Sequence, residues 1–467
     1  MTYTGYASVL FFAAARACVL LEIISSCLQQ DQLLLLVNPR FHCGVCVTLI
    51  MNQGTITSGN LVLQSANGSV NFLSSLNSTP SLGVITNLFD KSFSLESGVD
   101  EFDTLTQNGS TVGRDAGKDY LSLRAPSTGS SAILQTKQYV VSSTGASRIV
   151  TATSNLDPLN VLATNTGLIA RVGSFDSAVQ KTDTARGDGY FFQCNNTGMA
   201  VVRRSSNNGT DVDEVVPQAS WNLDRLNGFG MSQYTISASR ANVYLFVYEN
   251  SGYASSVKLG IVAGSSVVFC HRFDHNTGDA NAVRTNSLPV RFELTNNTGN
   301  NNVTTEMRAI SCSVSSSGGI PTGIRRSCGL KAAARDLSSY DPGCPVLSVR
   351  LKSNYARASA KLVGLHLTST TSIYYEIVKN GVLTGASWTD CADSSITEYD
   401  KSATAITGGK VCESGYCAEK ETLNIVLPSL TPLASTIVGV CDTYTLNAVC
   451  LMAGGICWAA IDVSEIA

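Results

Sequence analysis

A few groups of residues in this chain have types and spacings that could do chemistry. Arg186-Gly187-Asp188 is the tripeptide that many adhesive proteins present to integrins. It stands in the polar run Thr182–Gly189, just ahead of the apolar stretch Tyr190–Cys194, where an exposed loop is expected. His271-Arg-Phe-Asp-His275 places two imidazoles and a carboxylate within five residues. On a strand, His271 and His275 would share one face and Asp274 the other, and a zinc ion would need further ligands that the region does not supply. Asp176, Asp188, Asp224 and Glu293 could be imagined as the carboxylates of a glycan hydrolase. That reaction needs two carboxyl groups at a defined separation, and nothing in the sequence makes any pair converge. Trp221, Trp388 and Trp458 could stack on a sugar ring, although a core position is the commoner fate of a tryptophan. Arg186, Gly187, Asp188 and Trp221 are the candidate ligand-binding residues.

The rest of the chemical inventory is thin. His42 beside Cys43-Gly-Val-Cys46 is half of a zinc knuckle with no second CxxC partner. No nucleophile elbow, P-loop or dinucleotide fingerprint occurs. No nucleophile, base and orienting group can be named together, so the expectation is a protein with no catalytic residues, no cofactor and no metal. The chain has 467 residues, only 14% of them charged, and a net charge of −3. Without a basic run there is no surface to neutralise phosphates, and no nucleic-acid partner is expected.

Any such residues would have to be positioned by strands. Ala241-Asn-Val-Tyr-Leu-Phe-Val-Tyr-Glu249 is β-branched and aromatic, and Val257–Val262 and Val267–Cys270 flank the turn Ala263-Gly264-Ser265-Ser266. Leu288–Leu294 and the run ending at Val314 alternate apolar and polar residues. Tyr190–Cys194, Asn195-Asn-Thr-Gly198 and Met199–Arg203 read as a hairpin, and Lys379-Asn380-Gly381 carries another strong hairpin signal. These features predict an all-β protein: a large antiparallel β-sandwich, jelly-roll or lectin-like, over 51–330. A linker over 331–345 and a smaller β-rich domain over 346–467 follow.

Residues 1–50 differ in style. Val9–Ile24 is apolar but interrupted by Arg16 and Glu22, and no basic segment precedes it as in a secretory signal. The expectation is an upstream extension with Met51 as the working start and no membrane partner. An atypical membrane anchor is the alternative. The fifteen cysteines follow no regular spacing, which predicts reduced, structural thiols. The Asn-x-Ser/Thr sequons, Asn195 among them, read mostly as turn chemistry.

The order of short motifs carries a resemblance. Arg171-Val-Gly-Ser-Phe-Asp, Gly189-Tyr-Phe-Phe, Ser220-Trp-Asn-Leu-Asp-Arg-Leu-Asn-Gly, Cys270-His-Arg-Phe, Leu288-Pro-Val-Arg-Phe-Glu and Met307-Arg-Ala-Ile-Ser-Cys-Ser-Val follow one another in the first part. Leu347-Ser-Val-Arg-Leu-Lys, Leu383-Thr-Gly-Ala-Ser-Trp and Gly408-Gly-Lys-Val-Cys-Glu-Ser-Gly-Tyr follow in the second. Over roughly 165–420 the chain resembles a family of β-rich virion structural proteins of large DNA viruses and tailed phages. The resemblance implies a non-enzymatic component of the virion, capsid or appendage, whose partners are itself, as a homo-oligomer, and other virion proteins. The alternative is a carbohydrate- or receptor-binding module on the particle surface, with a host glycan or receptor as partner.

Overall fold

The computed structural model describes the strands Leu33–Asn38, Cys46–Met51, Asn60–Ser65 and Gly68–Leu73. From Thr86 to Ile466 it describes all residues except 95–99, 142–146, 178–186, 207–209, 250–254, 265, 276–282, 284, 286, 298–304, 317–322, 332–333, 338–342, 428–431 and 453. Residues up to Ile85 form one compact unit and Thr86–Ala467 another. In the first, Leu33–Asn38 pairs antiparallel with Cys46–Met51, Met51 lying opposite Leu33. Asn60–Ser65 pairs with Gly68–Leu73. His42 and Cys43 lie outside the described residues.

The second unit is all-β, as expected. Among its described residues there is no α-helix, and none is long and apolar enough to cross a membrane. Its strands make two sandwiches. In the first, one sheet runs Ser266–His275, Ser255–Ala263, Asn242–Glu249, Arg148–Asn155, Met307–Ser316, Leu121–Arg124, Thr111–Gly113, with Thr86–Ser92 also on Met307–Ser316. The facing sheet runs Val212–Pro217, Gly198–Ser205, Gly189–Asn195, Leu168–Phe175, Val290–Asn296, Ser130–Thr136, Phe102–Gln107. Alternation decides what goes inside. Leu168, Ala170 and Val172 enter the core with Tyr190 and Phe192 from the next strand, while Arg171 points the other way. The core is aromatic at its centre, where Phe192 packs on Tyr244, Phe246 and Trp221.

The second sandwich stacks Ile324–Gly329, Gly455–Ile466, Ser359–Ser369 and Thr422–Val426 against Thr389–Asp390, Thr397–Asp400, Cys344–Leu351, Thr443–Cys450, Ile373–Lys379 and Lys410–Cys417. Its core is aliphatic, built from residues such as Leu347, Leu365, Ile373, Leu446 and Val463. The two sandwiches touch within the unit: Arg357 pairs with Asp176, the Ile437 amide donates to Asp103 and the Ser435 amide to the Lys137 carbonyl.

Several expectations shift. Ile324–Gly329 and Arg335–Leu337, placed by the sequence in the first domain and the linker, both pair with Gly455–Ile466 of the second sandwich. The Pro/Gly punctuation of 318–345 marks turns but does not say which sheet the intervening strands join. The Asn380-Gly381 turn closes no hairpin: Ile373–Lys379 pairs with Lys410–Cys417 and Thr443–Cys450, and Val382–Thr384 pairs with Ala405–Thr407. Gly381 is needed for packing instead, since a Cβ there would lie 2.5 Å from Ile406 Cδ1. The hairpins over 190–203 and 257–270 form as read. Asn195 makes the expected turn, its Oδ1 accepting from the Thr197 amide at 2.9 Å. Cys328 and Cys391, 63 residues apart, are joined in a disulfide that ties one sheet of the second sandwich to the other. Stacked sheets bring those two together, a contact that irregular spacing along the chain cannot announce.

Candidate functional site: a clamped loop with an exposed apolar tip

The motif Ser220-Trp-Asn-Leu-Asp-Arg-Leu-Asn-Gly follows the edge strand Val212–Pro217 and a short helical turn, Gln218–Ser220. Trp221 is 4% exposed, edge-on to Phe192 at 6.0 Å, and its indole N–H donates to the Val216 carbonyl at 3.2 Å. A ring this deep offers no face to a sugar, so Trp221 is corrected from a ligand-stacking candidate to the buried root of the loop. Asn222 then imitates a strand neighbour. Its side-chain amide donates to the Arg272 carbonyl and its oxygen accepts the Arg272 amide, both at 2.9 Å. The Leu223 and Asp224 amides donate to the Cys270 carbonyl.

Asp224 is the clamp. Its two carboxylate oxygens accept the Leu226 amide at 2.8 Å and the Ser232 amide at 2.9 Å, tying the two ends of the loop together. Burial works against the charge, but the amides of Ser232 and Leu226 hold the carboxyl below its ordinary range. The Ile236 amide donates to the Leu226 carbonyl, the Gly228 amide to the Tyr234 carbonyl, and Gln218 Nε2 to the carbonyls of Arg225 and Leu226. Leu226 sits fully buried at φ +47° and Gln233 at φ +53°. Side chains rarely adopt that conformation, which costs about 1–3 kcal/mol unless its surroundings over-determine it. Gly230 lies directly on the clamp, since a Cβ there would stand 2.2 Å from Asp224 Oδ1.

This framework displays two apolar side chains almost wholly, with Leu223 about half exposed beside the clamp. Phe229 is 94% exposed and Met231 fully so, on a loop that also exposes Arg225, Asn227 and Gln233. The hydrophobic effect gives no intramolecular reason for a phenylalanine in water. Neither residue was found by sequence reasoning. The available signal was Gly-Phe-Gly-Met, where apolar residues alternate with glycine in a turn-rich stretch and fit no buried periodicity.

The other candidates fall elsewhere. Arg186 lies outside the described residues, whereas Gly187 and Asp188 are buried. Asp188 accepts the Ser206 amide at 3.2 Å and the Ser206 hydroxyl at 3.0 Å, so the expected exposed adhesive loop is corrected: this carboxylate is structural. Asp176 lies beside it, taking the Asp188 amide at 3.0 Å, the Tyr139 hydroxyl at 3.1 Å and Arg357 at 3.1 Å. Glu293 is on the outward face of the seven-stranded sheet, directly across from Arg171. Arg171 holds it at 2.6 Å and Arg291 at 2.7 Å, while Gln193 takes a further Arg171 N–H. Burial pushes this carboxyl up, but Arg291, Arg171 and Arg204 pull harder and bring it down to about 2. A group held that firmly as an anion does not deliver protons near neutral pH. Asp224 belongs to the loop. His271 Nδ1 takes the Asn222 amide at 3.3 Å and His275 Nε2 contacts the Tyr190 hydroxyl. Trp388 lies over the Arg350 guanidinium at 3.9 Å.

No family model and no curated protein matches the sequence. Among solved structures, the chain is similar to an endo-1,3-beta-glucanase from Streptomyces sioyaensis at 10% identity, over 52% of this chain and 100% of that one, with a TM-score of 0.32. It is similar to arcelin-5, a lectin-like defense protein from Phaseolus vulgaris, at 16% identity over 50% and 98%, with a TM-score of 0.29. An endo-beta-1,4-glucuronan lyase from the fungus Trichoderma reesei follows at 11% identity over 49% and 95%, with a TM-score of 0.33.

Proposed function

We propose that this chain is a non-catalytic carbohydrate-binding module, and that the loop Trp221–Ile236 is its contact element. The observation that carries the reading is the pairing of an over-determined backbone with the fully exposed Phe229 and Met231. A rigid loop loses little conformational entropy on binding, so exposed apolar area on it converts efficiently into affinity. An aromatic ring stacks on the C–H face of a pyranose, and Arg225, Asn227 and Gln233 on the same loop supply hydrogen bonds for its hydroxyls. The carboxylates considered for hydrolysis are tied up in structural bonds, which supports binding without turnover. The resemblance over 165–420 supports placing the module on a virion surface.

The test is a glycan array probed with the full chain and with Phe229→Ala/Met231→Ala. Binding by the parent that is lost in the double variant, at an unchanged melting temperature, supports the reading. A featureless array, or equal binding by the variant, overturns it. Peptide mass spectrometry on purified particles checks the virion assignment separately.

A second reading, a structural virion protein acting by self-assembly, rests on the open sheet edges. Lys410–Cys417 ends one sheet of the second sandwich with Val411 and Tyr416 exposed, and Thr422–Val426 ends the other with Val426 exposed. Edges that no described strand covers can accept strands from another copy. Sedimentation showing a monomer at all concentrations would remove it.

A further inference from the structure

We propose that the loop Trp221–Ile236 selects acidic sugars, with Arg225 taking the carboxylate of a uronic or sialic acid residue. This rests on the reading of that loop as the glycan-contact element. The observation behind it is how arginines are used in this chain. Among the described residues, every other arginine except Arg240 holds a carboxylate, a sulfur or an aromatic ring. Arg225 and Arg240 are exposed, and among the described residues no ion pair, hydrogen bond or ring contact engages either guanidinium. An unspent arginine is the exception in this protein, and one of the two stands on the loop that displays Phe229 and Met231.

The surroundings keep that cation available. From Arg225 to Tyr248 the chain contains no Asp or Glu. Asp224, next to it, is buried with its oxygens on the Leu226 and Ser232 amides. On the neighbouring edge strand, Asp213 is held by Arg204 and Glu214 by Arg203, and Asp274 is held by Arg272. The backbone that carries the guanidinium is fixed in advance. Gln218 Nε2 donates to the Arg225 carbonyl at 2.8 Å and to the Leu226 carbonyl at 3.2 Å. Leu226 and Ile236 are buried beneath the turn, and Asn227 is bridged to Thr235 across it.

The chemistry then separates ligand classes. A neutral sugar would use the aromatic face of Phe229 and the polar side chains, and it would leave Arg225 in water. A uronic acid carries a carboxylate on the same ring whose C–H face stacks, so it engages both groups at once. The planar guanidinium matches that carboxylate with two parallel N–H groups, a geometry that an ammonium cannot reproduce. Arg240 lies beyond the loop, where its carbonyl accepts the side-chain amide of Asn242 at the start of the next strand. It serves as the internal control.

The experiment is a binding titration of the full chain with matched oligosaccharides, a uronic acid oligomer and its carboxyl-reduced neutral form, at low and at high salt. The acidic oligomer should bind about tenfold tighter or more, the scale of hydrogen bonds to a charged group. High salt should narrow that preference. Arg225→Gln should bring the acidic oligomer down to the neutral one, Arg225→Lys should restore only part of the difference, and Arg240→Gln should change nothing. Equal binding of the two oligomers overturns the proposal while the glycan reading stands, whereas binding of neither overturns the glycan reading itself. A preference that survives Arg225→Gln overturns the role of Arg225. Binding to anionic phosphatidylserine vesicles without binding to either oligomer also overturns the proposal and assigns the loop to a membrane surface. The preference of the parent protein alone decides the ligand class should a variant fail to fold.

Discussion

Both sandwiches bury carboxylates, but among the described residues only the first also buries arginines, whereas the second ties its sheets with sulfur. On the outward face of the seven-stranded sheet, Arg171, Arg204, Arg291 and Glu293 lie together beneath little solvent, and Arg357 of the second sandwich extends the cluster to Asp176. The second sandwich has a smaller, aliphatic core and one cross-sheet disulfide, with more thiols close by. A small core gains most from a covalent tie, because the tie restricts the unfolded chain. A large sheet with both faces covered can carry ions inside, provided every ion keeps its partner. The comparison teaches that acid should act most strongly on the arginine cluster of the first sandwich, while Asp400 and Asp462, also held below their ordinary range, give the second a share of it, and that reductant should act on the second.

The largest effect follows from removing one member of the buried cluster. Glu293→Ala takes from Arg291, which is 1% exposed, the carboxylate that it holds at 2.7 Å, and should destabilise the first sandwich by about 3–5 kcal/mol. The same residue sets an acid dependence. Its carboxyl falls from an ordinary 4.5 to about 2 in the folded protein. A depressed carboxylate contributes stability fully above pH 4.5, and that contribution is lost as pH falls toward 2. It amounts to about 3 kcal/mol. Denaturant titrations between pH 6 and 2 should show this loss in the parent and a flatter profile in Glu293→Gln. Equal slopes would remove Glu293 as the cause.

Trp221→Ala should cost about 3–5 kcal/mol, because it leaves a cavity against Phe192 at the root of the loop. A loss below about 1 kcal/mol would put the ring in solvent and return it to the ligand-binding candidates. Reductant provides the opposite stress. Cys328→Ser should lower the stability of the second sandwich by about 2–4 kcal/mol, and a reducing buffer should lower the parent by the same amount. The acid transition of the first sandwich should not move. If both halves lose stability together, they unfold as one cooperative body and the contrast between them disappears.

What was legible in the sequence follows from how local each signal is. Strand periodicity is local, so the strands about Tyr190, Asn242 and Val257 and the hairpins between them read correctly, as did the all-β class. Pairing across a sheet is not local, and Arg335–Leu337 could not be seen as the neighbour of Gly455–Ile456-Cys457 from a Pro/Gly-rich stretch. The disulfide failed to show for the same reason. Candidate site residues were judged by type, and type misled in both directions: Asp188 and Trp221 carry functional chemistry but are spent on packing, while Phe229 and Met231 look like core and stand in solvent. Deciding between those fates required knowing that Asp224 turns the chain outward between Leu226 and Ser232.

The smallest effects sharpen the comparison by adding a third region, the loop, whose rigidity and surface can be altered separately. Gly230→Ala would push a methyl group into the Asp224 carboxylate, which cannot retreat without giving up the Leu226 or Ser232 amide. The expected loss is about 1–3 kcal/mol, the cost of one unmade hydrogen bond to a buried group, together with a looser loop and weaker glycan binding. Phe229→Ser/Met231→Ser removes side chains that touch almost nothing in the folded protein. Its stability should stay within about 0.5 kcal/mol of the parent, and proton-exchange protection of the Ser232 amide should be unchanged. Binding should nevertheless be lost, because the apolar contact area is gone while the framework remains. A double variant that melts several degrees lower would mean that Phe229 and Met231 pack against the protein, and the loop would then be a structural closure without a ligand to meet.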